Sequence, residues 1–163
     1  MVSKIIIFGA IIALLVGGIG YIYFGVISPS SEKPSIEKPI LLEGQDISEE
    51  HVSWLANELG AYKIHNSLSG EAAEIEIFVE GTAFTVTNSG NSPSATKGNA
   101  ANPDIRITAD KASFAELINS ENINSKIAQL YASGKIGVEI LKDEATLALK
   151  GYKAVYDQIS GNA

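Results

Sequence analysis

His51, His65 and Arg106, with the carboxylates Glu71, Glu74, Glu76 and Glu80, are the residues whose types could do chemistry in this chain. The two histidines are the only ones, stand fourteen residues apart and have no carboxylate at a spacing such as His-Glu-x-x-His, so no metal centre is expected. His51 follows Glu49 and Glu50 in what reads as the acidic first turn of a helix, where a solvated imidazole is ordinary. Arg106, the single arginine, could clamp a carboxylate ligand with its planar fork, but a cross-strand pair with Glu76 or Glu139 explains it more simply. The four glutamates lack the short regular spacing of a calcium loop and read as a solvated strand face. There is no cysteine, no Gly-x-Ser-x-Gly elbow and no phosphate-cradling loop, because Gly90, Gly98 and Gly134 stand alone. The residue types therefore predict a non-catalytic protein without metal or cofactor.

The elements around these residues follow from periodicity. Asp46 or Ser48 can cap a helix ending at Gly60, with Val52, Leu55, Ala56 and Leu59 as its stripe; Trp54 falls off that stripe and reads as core on a second packing face, the alternative being contact with a membrane or a ligand. Ala73 to Val79 alternates, Glu80-Gly81 makes a tight turn, and Thr82 to Thr87 returns as the partner strand. Asn88 to Asn102 reads as a polar loop holding a short edge strand near Ala95-Thr96. Asp104 to Thr108 alternates again, and Asp110 caps a helix carrying Phe114, Leu117 and Ile118. Asn122 or Asn124 caps another helix with Ile127, Leu130 and Tyr131, stopped by Gly134. Lys135 to Ile140 is a last strand, followed by one helix from about Asp143 to Ile159. The class is α+β, about five strands with helices on one face.

The run from Asp104 to Lys150 resembles the sterol carrier protein 2 (SCP2) family of lipid-binding domains: an aspartate-led strand, two helices, Gly-Lys-Ile-x-Val-x-Ile, then an alanine- and leucine-rich helix. The family usually has Gly-Asp after the last strand, and here Lys142-Asp143 follows Leu141. The resemblance implies a tunnel between sheet and helices for fatty-acyl or sterol-like molecules. It carries Phe114, Leu117, Ile118, Ile127, Leu130, Tyr131, Val138, Leu147 and Ala148 over as wall or core, together with Ile136 and Leu149. A tunnel and a filled core use the same side chains, so both readings stand at this level.

Ahead of the domain, Ile5 to Ile27 is 23 residues without a charge. As a helix it would be roughly 34 Å long, enough to cross a hydrocarbon core of about 30 Å. It exceeds the apolar region of a cleaved signal peptide, and Pro29 follows the nearby Val26-Ile27-Ser28, so residues 1–27 read as an uncleaved membrane anchor. Lys4 is the only charged side chain before Ser28 and lies on the amino-terminal side, which predicts a cytoplasmic amino terminus and a domain outside the cell membrane. Gly9, Ala13, Gly17 and Gly25 fall at a spacing that would permit weak transmembrane self-association, although glycine is common in such helices anyway. Residues 28–44, with Pro29, Pro34 and Pro39 among Glu-Lys steps, read as an extended tether, and 45–163 as the domain.

The 163 residues carry a formal charge of −7. That balance disfavours a nucleic-acid partner, which needs clustered Lys and Arg, and docking on anionic headgroups. Two functions follow: a membrane-anchored domain that holds an apolar, lipid-like ligand, or an extracytoplasmic interaction module with a filled core whose contact surface is the acidic strand face and the Asn88–Asn102 loop.

Overall fold

Strand β1, Glu74–Val79, lies at the centre of a five-stranded sheet because its alternation lets Ile75, Ile77 and Val79 share one buried face. The computed structural model describes residues 32–67 and 69–161. β1 turns through Glu80 and Gly81, both at positive φ, into β2, Thr82–Ser89. Such a two-residue turn matches the twist of a hairpin. β3, Ser92–Lys97, pairs antiparallel with β2 and is the edge strand expected near Ala95. β4, Ile105–Ala109, runs parallel to β1, and β5, Ile136–Ile140, pairs antiparallel with β4. The order is β3-β2-β1-β4-β5, a mixed sheet in an α+β architecture.

Register places the apolar residues in rows. Ala95, Val86, Ile75, Ile105 and Ile140 form one row, and Phe84, Ile77, Ile107 and Val138 the next. On the opposite face the corresponding row is Thr96, Thr85, Glu76, Arg106 and Glu139. Arg106 donates from Nε to Glu76 at 2.5 Å and from its terminal nitrogen to Glu139 at 2.9 Å, the cross-strand pairing that the sequence suggests. Glu76 is buried, and it also accepts the Ala100 N–H, so this strand face is not wholly solvated.

Helix α1, Glu49–Glu58, packs along β3 and sinks Val52, Leu55 and Ala56 into the core, with Trp54 also buried. A 3-10 turn, Ala61–Lys63, leads from it towards β1. α2, Lys111–Ile118, starts at Asp110, whose carboxylate accepts the Ser113 N–H at 2.6 Å. α3, Ile123–Ala132, starts at Asn122 in the same way. Among the described residues no helix is long and apolar enough to cross a membrane. The proposed anchor at 5–27 and its small-residue spacing lie outside the described residues.

The single last helix expected from Asp143 to Ile159 is two helices, α4, Glu144–Leu149, and α5, Lys153–Ser160. Gly151 breaks it at φ +82°, a left-handed conformation that side chains rarely adopt. A Cβ there would also meet the Lys63 carbonyl oxygen at 2.6 Å. The break resets the helical phase, so Leu147 is buried whereas Leu149, expected as wall or core, is 45% exposed.

Residues 33–45 form neither helix nor strand and lie on the domain. Lys33 pairs with Glu58 at 2.7 Å, Asn57 donates to the Pro34 carbonyl, Lys38 donates to the Ser120 carbonyl, and Leu41 is buried. The part of the 28–44 stretch that the structure describes is thus a strap held against α1 and the turn before α3, not a free spacer.

Candidate functional site

β5 is the strand whose inward face is least buried. Its inward residue Ile136 is buried, but Val138 and Ile140 are only half-buried. Over them come the end of α3 at Tyr131, Leu147 of α4, and Val155, Tyr156 and Ile159 of α5. Together with Ile105 and Tyr152 these enclose a cleft of about 40 Å³ whose only polar groups are hydroxyls and backbone. That is room for one or two waters, far below the roughly 300–1,000 Å³ of a ligand pocket. α4 is its least secured wall: Leu147 is the helix's one buried side chain.

Of the wall residues implied by the resemblance, Tyr131, Val138 and Leu147 line this cleft. Phe114, Leu117, Ile118, Ile127 and Leu130 do not; they are core, each at most 3% exposed, because α2 and α3 turn those positions towards the sheet and each other. Ala148 faces solvent, on the outer side of the short α4. Asp143 still caps α4, accepting the Thr146 N–H at 3.0 Å, so the missing glycine before it leaves the helix start intact.

Beneath the cleft lies a buried polar cluster that the sequence reading did not single out. Lys150 and Asp104 are both fully buried and pair at 2.8 Å. Lys150 also donates to the Ala72 carbonyl at 2.8 Å, while the other Asp104 oxygen accepts from the Tyr152 hydroxyl at 2.7 Å and the Glu74 N–H at 3.0 Å. Burial, and then the bond to the Asp104 carboxylate, push the Tyr152 phenol well above its ordinary value, so it stays a donor. Every member is engaged. A lysine inside an alanine- and leucine-rich helix was the available signal, since a buried lysine demands a partner.

The histidine expected in solvent is instead 2% exposed. Nδ1 of His51 accepts the Ser48 N–H at 3.2 Å and lies 2.6 Å from its hydroxyl, completing a capping box. Nε2 then carries the proton and donates to the Ile40 carbonyl at 3.2 Å. Both nitrogens thus serve structure, joining the strap to α1. A second, open depression of about 300 Å³ lies where the strap meets the turn before α3, lined by Lys38, Trp54, Glu58, Ser120, Ile123 and Asn124. Its charged and polar lining does not suit an apolar molecule.

No family model matches the chain, and no curated protein matches it. Solved structures with a similar arrangement include a chain titled UbiJ-SCP2 ubiquinone synthesis protein, 14% identical over 66% of this chain and 88% of that one, with a TM-score of 0.39.

Proposed function

We propose that residues 45–163 form an SCP2-like, non-catalytic domain that binds an apolar, lipid or fatty-acyl-like ligand in the cleft between β4–β5 and α3, α4 and α5. The observation that carries this reading is the cleft's composition and place: an apolar lining at the one strand whose inner face the helices leave half open. A ligand enters by displacing the body of α4, which buries only Leu147, while the Lys150–Asp104 pair keeps the end of α4 tied to the sheet. Support for binding rather than catalysis is that His51, Arg106, Asp104, Lys150 and Tyr152 are taken up by internal partners, while His65 lies exposed and outside the lining of the cleft. The uncharged Ile5 to Ile27 supports a single-pass attachment to the cell membrane with the amino terminus in the cytoplasm and the domain outside, so that the ligand site stands beside a lipid source.

A second reading has its own observation. A 40 Å³ cleft is nearly filled by its own side chains, as a protein-interaction or structural module would have it. Titration of the delipidated full-length chain with a fluorescent fatty acid separates the two. One molecule bound per chain is expected. Absence of saturable uptake across several chain lengths and a sterol would leave the interaction module as the function.

A further inference from the structure

The two edges of the sheet are treated differently. At β3 the outward N–H groups are taken by α1: Ala95 donates to Ser53 Oγ at 2.8 Å and Lys97 to a Glu49 carboxylate oxygen at 2.6 Å. At β5 no described residue takes their place. Leu141 N–H bonds to the Asp104 carbonyl and Glu80 N–H to the Ala109 carbonyl, which fixes the alternation of β4. Residues 137 and 139 therefore face β4, and the N–H and C=O groups of Ile136, Val138 and Ile140 face outward. Among the described residues none of those outward groups has a hydrogen-bond partner. An uncapped edge of this kind is a template for another strand.

We infer that β5 pairs antiparallel with β5 of a second copy of this chain, about a two-fold axis at Gly137. The charges choose this occupant and this register. With Gly137 opposite Gly137, Lys135 stands directly across from Glu139 of the second copy, and Glu139 across from its Lys135, so one patch complements itself as a two-fold interface requires. The same register sets Ile136 opposite Val138, both with outward groups, and gives four backbone hydrogen bonds. Lys135 and Glu139 are free to take part, being 53% and 59% exposed with only surface pairs, to Glu116 at 3.7 Å and Arg106 at 2.9 Å. Such pairs are readily shared or exchanged. Glycine at the axis brings the backbones together without a side chain between them, and a Cβ at Gly137 would in any case meet Thr108 Oγ1 at 2.6 Å. The paired sheets become continuous, with both helical layers on one side and the two β5-side clefts flanking the axis. The pairing does not depend on ligand binding.

The absence of cysteine allows a direct test on the full-length chain. In the proposed register, K135C/E139C should close two disulfides between copies, because opposed residues at such a position lie about 4.5 Å apart. Neither K135C nor E139C alone should cross-link, since identical residues would then be roughly 13 Å apart. Mild oxidation should double the mass of the double variant, reversibly with dithiothreitol. In parallel, Lys135→Glu and Glu139→Lys should each halve the sedimenting mass relative to the unsubstituted chain, and mixing the two variants should restore it. No covalent dimer, or equal cross-linking by either single variant, overturns the inference. So does an unsubstituted chain that sediments as a monomer with the β5 amides protected from exchange, which would place another segment on the edge.

Discussion

Lys150 is the residue where the domain risks most. Burying an ammonium is costly unless it is paired and hydrogen-bonded, and here Asp104 and the Ala72 carbonyl meet both needs. Lys150→Ala should destabilise the domain by about 3–5 kcal/mol, because Asp104 is left as a buried charge without a cation. Replacing both partners, as Asp104→Asn with Lys150→Met, should recover much of that loss. Denaturant melts of the single and double variants measure this; a single variant that melts like the parent would mean that Glu71, 3.8 Å from Lys150, leaves room for water in the cluster. The pair joins positions 46 residues apart, and that separation is why it was hidden in the sequence. Lys150 read alone looks like the polar face of a helix, and Asp104 like the start of a strand. Arg106 was legible because its partners sit on neighbouring strands, where register alone decides who meets.

At the scale of elements, the strands, the caps and the helix stops at Gly60 and Gly134 were legible, and the break inside the last helix was not. Asp110, Asn122, Asp143 and Ser48 each cap where a side-chain oxygen precedes an apolar run. The break at Gly151 was missed because a lone glycine in a helical pattern is a weak signal, and what makes it compulsory is the distant Lys63 carbonyl. The consequence falls on the candidate site. With the phase reset, Leu147 meets the cleft while Tyr152 turns down to Asp104. Leu147→Ala should therefore cost near the lower end of the roughly 2–5 kcal/mol range, since it enlarges a void already present. It should also shift the preferred chain length of a bound fatty acid upward. Tyr152→Ala should cost more, losing both its buried ring and a partner of Asp104. Equal, large losses in both would show Leu147 to be ordinary core. Whether an apolar residue lines a cleft or fills a core depends on a few side-chain volumes, which no periodicity encodes. Tyr131, Val138 and Leu147 were picked out beside five residues that proved to be core for that reason.

Over the whole molecule, the charge and apolar pattern predicted a domain behind an attachment and a spacer, and the described part of that spacer packs on the domain. The strap from Lys33 to Leu41 belongs to its surface, so these residues are not the free spacer that the proline-rich composition suggested. Under the topology proposed above, a broad-specificity protease added outside intact cells should cut between Ser28 and Lys33 before it cuts within the strap, and release a folded fragment. Cutting only from the cytoplasmic side would reverse the orientation.

The same strap sets how the domain responds to being pulled. Its fastenings follow one another along the chain: Lys33 on Glu58, the Pro34 carbonyl on Asn57, Lys38 over Trp54, then the Ile40 carbonyl on His51. Tension arriving at residue 33 loads them singly, in the order of a zip, rather than all together in shear. Each yields at low force, and the twelve residues from 33 to 44 draw out to a length of at most roughly 40 Å before any strand of the sheet feels the load.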